Sequence, residues 1–354
     1  MKRIALFLVF ISISFSLVAQ KGRIIFFRGT IGKYLTQMTL QLPDSGKEVS
    51  GFYQYEGKQA WLKLSGTSAD GRNLVLNEFP QDGSKNENQA TTGTFTGQLS
   101  KENLFAGKWV AANGKTTLEF KMHAECGTEG VCFKMQEAKA DTTMYSQGHH
   151  EKGIEISAEV KWLESNSGNN TLDAWLDTFI FNRLYSPEMI ETYRITFPDY
   201  SAIADSFMLD NINYDSQMYL STSCDVTWNG NGILCLESGW WEYTGGAHGN
   251  GFVEYNCFDL QSGKLLTTDD IFKKGYEEPL RLKAVEHLDR DPDFFSRDSL
   301  ELNGNFYITP EGIGFFYNSY EITAYVNGQP VAFIPWKEME QLVDPKGPMN
   351  WVKK

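Results

Sequence analysis

The sequence predicts two domains: an N-terminal all-β meander domain that is barrel-like, and a C-terminal α+β domain with an antiparallel sheet and two to three helices. Between residues 23 and 122, short segments of alternating apolar and polar residues recur between turn residues. A polar stretch at 137–152 interrupts this pattern, and helical periodicity begins at Leu172. A chain of 354 residues is long enough for two hydrophobic cores.

The first residues have the three parts of an export signal. Lys2 and Arg3 precede an apolar run over residues 4–15, and small residues lead to Ala19. Because this run is shorter than the roughly 20 residues that span a membrane, we expect cleavage after Ala19 rather than a retained membrane anchor. No cysteine lies near Ala19, which argues against a lipid anchor. We therefore predict a signal peptide over residues 1–19 and a secreted or periplasmic mature protein.

The charge balance is acidic. The full chain has 32 Lys and Arg residues against 45 Asp and Glu residues, and residues 1–19 contain two of the basic ones and none of the acidic ones. Such a surface repels nucleic acid and anionic membranes and attracts basic partners. The composition therefore argues against nucleic-acid binding, and either solubility or a basic protein partner accounts for the charge.

The N-terminal domain, predicted over residues 20–138, contains eight candidate strands. They span residues 23–28, 37–42, 49–55, 59–64, 73–79, 93–99, 104–110 and 116–121. Asx and Gly residues mark the turns between them, which favours an up-and-down meander closed into a barrel. Such a barrel can hold a ligand or fill its interior with side chains. We expect the filled interior.

The C-terminal domain, predicted over residues 150–345, mixes helices with strands. A first helix has a single apolar stripe, and Thr171 or Asn170 can cap it. A second helix is predicted at 200–209, and a third follows Pro279, whose fixed φ suits a first helical turn. The stripe of the first helix consists of Leu172, Trp175, Leu176, Phe179 and Ile180. Predicted strands span residues 154–160, 217–228, 233–243, 251–258, 306–309 and 313–316.

Five cysteines lie after the predicted signal peptide, where an oxidising compartment permits disulfides. A two-residue turn at Asn229-Gly230 would place Cys224 opposite Cys235 in a hairpin, so we predict a disulfide between them. Cys126 and Cys132 bracket a short loop that a second disulfide could close. Cys257 is then left over as a buried side chain. The histidines show no metal-ligand spacing with these cysteines, so we predict no metal site and no cofactor.

A Gly-rich loop between two predicted strands is the main candidate binding site. Its glycines could bring the backbone close to a ligand, or they could only let the loop turn tightly. Three tyrosines further along the chain, Tyr317, Tyr320 and Tyr325, could pack around the sheet or form a platform for sugar rings. The candidate binding residues are Tyr243, Thr244, Gly245, Gly246, His248, Gly249, Asn250, Tyr320 and Tyr325.

The sequence assigns no catalytic residue. Glu237, Glu242 and Glu321 could form a pair of carboxylates of the kind that cleaves glycosidic bonds, but charged strand residues are usually solvated. The GxSxG and HExxH signatures are absent. A binding role is therefore favoured over an enzymatic one.

Two segments, WEYTGGAHGNGFVEYNCFDLQSGKLLTTDDIF at 241–272 and FYITPEGIGFFYNSYEITAYVNGQPVAFIPWKEMEQL at 306–342, resemble a domain of the RsiV-type anti-sigma factors that sense lysozyme. The same domain type occurs beside peptidoglycan deacetylase catalytic domains. The resemblance covers residues 150–345 and implies an extracytoplasmic surface for a wall-active protein such as lysozyme, or for cell-wall glycan. RsiV-type proteins also have a cytoplasmic segment and a membrane helix, which this sequence does not match, so the resemblance does not extend to sigma-factor regulation. The alternative is an envelope enzyme or glycan-binding accessory that acts on peptidoglycan or polysaccharide.

Overall fold

The computed structural model describes residues 14–15, 19–44, 48–68, 70–80, 90–145, 153–165, 167–184, 218–243 and 248–353. The strands of the first half are β1 Ser14–Phe15, β2 Ala19–Ile31, β3 Tyr34–Pro43, β4 Val49–Tyr55, β5 Trp61–Ser68, β6 Asn73–Pro80, β7 Gly93–Leu99, β8 Leu104–Ala111, β9 Thr117–Ala124, β10 Phe133–Tyr145 and β11 Gly153–Ser165. The strands of the second half are β12 Met218–Gly230, β13 Ile233–Tyr243, β14 Asn250–Asp259, β15 Lys264–Leu265, β16 Phe306–Ile308, β17 Gly312–Phe316 and β18 Val331–Pro335. The α-helices are α1 Asn170–Leu184, α2 Thr268–Ile271 and α3 Glu277–His287.

Strands β2 to β9 form a closed antiparallel barrel, which confirms the predicted meander. Each strand pairs with the next, and β2 pairs with β9 from Phe27 opposite Ala124 to Ile31 opposite Phe120. Inward-facing side chains fill the interior, among them the fully buried Phe95 and Phe105. The structure therefore confirms that side chains fill the barrel interior.

The long strand β2 joins the barrel to a second sheet. Its first half pairs with β10, and its second half closes the barrel through β9. From β10 the sheet continues in the order β11, β12, β13, β14 and β15. The polar stretch at 137–152, where the sequence predicts the domain boundary, begins within strand β10, which ends at Tyr145. The barrel wall and the second sheet are thus hydrogen-bonded to each other.

The C-terminal part is mostly β-structure. Its sheet is antiparallel except where β11 pairs with β12 in parallel, and β16, β17 and β18 form a separate three-stranded antiparallel sheet. The predicted first helix is present as α1, but its cap is Asn169, whose Oδ1 accepts the N–H groups of Thr171 and Leu172. Helix α3 begins at Glu277, two residues before the predicted start. The helix predicted at 200–209 lies outside the described residues.

The disulfide predicted between Cys224 and Cys235 is wrong. The sequence N229-G230-N231-G232 contains two Asn-Gly pairs, and the second makes the turn, with Asn231 at φ 56° and Gly232 at φ 72°. This two-residue shift places Trp228, not Cys224, opposite Cys235. Cys235 instead lies opposite Cys257 in β14 and is bonded to it, while Cys224 is a buried free thiol. The disulfide between Cys126 and Cys132 is confirmed.

The β12–β13 hairpin packs against the outer wall of the barrel. The ring of Trp228 stacks on Phe52, with centroids 5.0 Å apart, and meets Trp61 edge-on. At the turn, Asn231 donates its backbone N–H to Gln37 Oε1 and its side-chain N–H to Gln54 Oε1. The hairpin thus buries aromatic surface against the barrel and satisfies its turn residues with barrel side chains.

No helix among the described residues is long and apolar enough to cross a membrane.

Candidate functional site

The candidate loop connects β13 to β14, where Glu242 opposite Asn250 is the last strand pair. The structure describes Tyr243 and residues 248–250 of this loop. The predicted binding residues Thr244, Gly245 and Gly246 lie outside the described residues. The described part of the site consists of His248, Gly249 and the elements around them.

His248, Tyr320 and Tyr325 form one group, which we call the Tyr–His cluster. The imidazole of His248 stacks on the Tyr325 ring, with centroids 3.9 Å apart and planes 14° apart. His248 Nδ1 lies 2.8 Å from the Gly249 carbonyl oxygen, which can only accept, so Nδ1 donates. Nε2 of the neutral ring then accepts the Tyr320 hydroxyl at 3.3 Å. The structure thus brings together three of the predicted binding residues from distant parts of the chain.

The segment that carries the two tyrosines, residues 318–328, is braced by Asp293. Asp293 Oδ2 accepts hydrogen bonds from Thr323 Oγ1 at 2.6 Å, from the Ala324 N–H at 2.8 Å and from Asn327 Nδ2 at 2.7 Å. These donors, Thr323 first, hold the pKa of Asp293 below its ordinary value. The carboxylate therefore stays charged at neutral pH and ties both ends of a short turn together.

Tyr320 has an unusual backbone conformation. Its φ is 67°, a region that non-glycine residues rarely occupy, and its N–H donates to the Thr323 carbonyl. Its side chain is 53% exposed. Val326, at the tip of the same segment, is 88% exposed. Strained residues that the surroundings hold in place cluster at binding sites, so this segment is a candidate contact surface.

A second group of rings, which we call the Trp241 row, adjoins the Tyr–His cluster. Trp241 stacks on Tyr243 with planes 16° apart, and the Tyr219 ring is tilted against Trp241 with centroids 5.9 Å apart. A Cβ on Gly249 would come within 2.2 Å of the Trp241 ring, so only glycine permits this approach. Trp241 itself is 42% exposed. Gly249 therefore has a packing role, which links the candidate loop to this row.

The candidate carboxylates are used mainly in structural hydrogen bonds. Glu237 Oε2 accepts the Tyr255 hydroxyl at 2.6 Å, and burial together with this carboxylate raises the Tyr255 pKa. Glu321 accepts the Asn318 N–H at 2.8 Å and the Asn303 side-chain N–H at 2.7 Å. Only Glu242 has no side-chain hydrogen bond among the described residues. This arrangement favours binding over acid–base catalysis at these positions.

One cluster among the described residues has the composition of a metal site. Glu286, His287 and Glu338 each place a ligand atom within 4.8 Å of the others. Lys283 lies 2.6 Å from Glu286 and 3.9 Å from Glu338, and His287 Nε2 lies 2.8 Å from Glu338. The hydrogen bond with His287 lowers the pKa of Glu338. Because Lys283 already supplies a positive charge there, we interpret the cluster as an ion-pair network.

Sequence reasoning missed the residues that hold the site in shape. Asp293 precedes the segment it braces by about thirty residues, in a stretch without periodicity. Asn318 was also missed, although its side chain bonds both the N–H and the carbonyl of Val253 in strand β14. Asn318, Ser319, Asn327 and Gly328 at the two ends of 318–328 are the sequence signal for such a turn.

Comparisons with known proteins find similarity to one protein family over part of the chain. A family model described as "Protein of unknown function (DUF3298)" matches residues 269–337. Among solved structures, a DUF3298 family member from Bacteroides fragilis NCTC 9343 is similar at 21% identity, covering 64% of this chain and 99% of that chain, with a TM-score of 0.46. A DUF3298 family protein from Pseudomonas aeruginosa PAO1 is similar at 18% identity, covering 59% of this chain and 94% of that chain, with a TM-score of 0.37. No curated protein matches.

The matched stretch runs from α2 to the end of β18 and contains Tyr320 and Tyr325, but not His248. Neither the family model nor the two solved structures is described as RsiV-type, so the resemblance to RsiV-type proteins stays a prediction.

Proposed function

We propose that this protein is a secreted or periplasmic binding protein of the cell envelope, whose C-terminal domain captures a basic, wall-active protein such as lysozyme. The observation that carries the proposal is the exposed Tyr–His cluster on a turn held by Asp293. Rings presented on a preformed turn lose little freedom on binding, and tyrosine and tryptophan dominate the energy of many protein interfaces.

The charge of the chain supports a basic partner. The formal net charge is −13, and Glu321 and Asp293 lie on or against the segment that carries Tyr320. A net negative charge speeds the encounter with a cationic protein and selects against acidic ones. The predicted resemblance to lysozyme-sensing domains points to the same class of partner.

Calorimetric titration of the full chain with lysozyme tests the proposal. Tyr320→Ala and Tyr325→Ala should each weaken binding by about tenfold or more, as expected for residues at the centre of an interface. Tyr34→Ala is the matched control, because Tyr34 lies on a barrel turn and is 51% exposed, close to the 53% of Tyr320. Absence of binding at micromolar concentration, or an equal loss with the control, would refute the proposal.

The second candidate function is that of a glycan-binding accessory or envelope enzyme. It is favoured by the Trp241 row, whose ring faces could stack on sugars. Binding or cleavage of soluble wall fragments, lost in His248→Ala or Glu242→Gln while lysozyme is ignored, would select this alternative.

A further inference from the structure

A groove lies where the outer wall of the barrel meets the β12–β13 hairpin. Its volume is about 430 Å³, and strands β3 to β6 and β12 line it. The buried rings of Phe52 and Trp61 and the half-buried ring of Phe79 supply apolar surface. Ser50 and Ser65 are exposed and also line it. Aromatic surface with a few hydroxyl groups is typical of sites for small ligands.

Lys63 gives the groove its charge. Among the described residues that line the groove it is the only charged one, in a chain with a formal net charge of −13. It lies between Phe52 and Phe79 on neighbouring strands, is exposed, and forms no ion pair within the described part of the chain. An unpaired ammonium group beside aromatic rings provides a site for an anion.

Trp61 provides an unused hydrogen-bond donor. Its ring is buried, and its indole N–H has no partner among the described residues. The neighbouring Trp228 differs, because its indole N–H donates to the Gly230 carbonyl at 3.0 Å. Buried donors are nearly always paired in folded proteins, which makes the unpaired indole N–H of a ring that lines the groove a candidate donor to a ligand.

We propose that this groove binds an acidic sugar. The sugar ring packs against Phe52, Trp61 and Phe79, its hydroxyl groups bond Ser50 and Ser65, its carboxylate pairs with Lys63, and one of its oxygens accepts the Trp61 N–H. The groove lies on the barrel side of the molecule and does not include the Tyr–His cluster, so this site is independent of the proposed function.

Calorimetry of the full chain with D-glucuronic acid, and with D-glucose as the neutral match, tests the site. The acid should bind in the millimolar range or tighter, and glucose at least about tenfold more weakly. Lys63→Met keeps most of the apolar stem and should lower affinity for the acid by about tenfold, whereas the exposed barrel control Lys108→Met should not. Binding of neither sugar, equal binding of both, or unchanged affinity in Lys63→Met would overturn the proposal.

Trp61→Phe separates recognition from folding. This substitution removes an N–H that the free protein leaves unpaired and replaces the indole with a smaller ring, so the variant should fold with a modestly lowered melting temperature, while affinity for the acid should fall by about fivefold. Unchanged affinity in a folded variant would remove Trp61 from the site. Lysozyme binding should be the same in both variants as in the natural chain, which distinguishes failure of this site from failure of the proposed function.

Discussion

Tyrosines in the two halves of the molecule have opposite surroundings. In the barrel, Tyr53 is fully buried and its hydroxyl donates to the buried Glu78. In the C-terminal part, Tyr320 is half exposed and its hydroxyl donates to His248 at the surface. The same residue type thus completes a core in one half and faces solvent in the other. Aromatic content alone therefore does not distinguish core residues from exposed candidate binding residues; the exposure of the ring does.

The buried carboxylate of Glu78 in the barrel accepts three hydrogen bonds. Glu78 Oε2 accepts the Tyr53 hydroxyl and the Trp109 indole N–H at 2.8 Å, and Oε1 accepts Thr92 Oγ1 at 2.6 Å. A buried carboxylate with three donors stabilises a single packing arrangement. The barrel interior therefore has a structural role. We expect binding on the outer wall of the barrel and in the C-terminal part.

The largest expected effect comes from emptying the barrel core. Phe95→Ala removes a fully buried ring and should lower the free energy of unfolding by about 3–5 kcal/mol. Tyr320→Ala should change it by less than about 0.5 kcal/mol, since its ring is half exposed. Urea unfolding followed by circular dichroism measures both. If the two variants lost similar free energies of unfolding, Tyr320 would matter for stability as much as a core ring does. That result would contradict a structural role for Phe95 and a binding role for Tyr320.

The next effect concerns the disulfide between β13 and β14. Replacing both Cys235 and Cys257 with alanine should cost about 3 kcal/mol, because the bond closes a loop with a sequence separation of 22. Cys224→Ala should leave both disulfides intact, as mass spectrometry of peptides after alkylation would show. A new free thiol at Cys235 in Cys224→Ala would instead restore the pairing predicted from sequence.

A smaller effect should appear at alkaline pH. Burial and the neighbouring Glu78 raise the pKa of Tyr53 well above its ordinary value. Because the folded pKa is above the unfolded one, this contribution to stability is complete below about pH 10 and is lost as pH rises further, by about 1.4 kcal/mol per pH unit. In urea unfolding from pH 9 upward, Tyr53→Phe should reduce the fall of the free energy of unfolding with rising pH, whereas Tyr34→Phe should not. An unchanged slope in Tyr53→Phe would exclude the mechanism.

The smallest and most local effect is expected at Asp293. Its pKa is lowered in the folded state, so its bracing is present above the ordinary pKa of an aspartate and is lost as pH falls through the folded value. Asp293→Asn should speed hydrogen exchange in residues 318–328 and weaken lysozyme binding without lowering the global melting temperature. Asp298→Asn, at an exposed aspartate outside the bracing hydrogen bonds, is the control. Unchanged exchange in 318–328 would show that the turn holds without the carboxylate.

Local patterns predicted most of the strands. The eight barrel strands follow from alternating side chains and turn residues, because each inward-facing position must be apolar in a filled barrel. Strand β10 was not predicted at all, because in its polar part ion pairs such as Lys139 with Glu137 and Glu159 take the place of apolar alternation. The candidate loop was located correctly between β13 and β14, and Tyr320 and Tyr325 were named, but nothing in the pattern indicated that they meet His248.

By itself, the sequence determined the order of the barrel strands, the first helix and the aromatic content of the candidate loop, since these depend on neighbours a few residues apart. The tertiary structure decided the register of the β12–β13 hairpin. Two Asn-Gly pairs could have formed its turn, and the second is the one whose Asn231 binds Gln37 and Gln54 on the barrel. The position of this turn places Cys235 opposite Trp228 of β12. On its other side, Cys235 lies opposite Cys257 of β14, which is its disulfide partner. Contacts between residues nearly two hundred positions apart carry no local signal, which is why only the folded chain shows them.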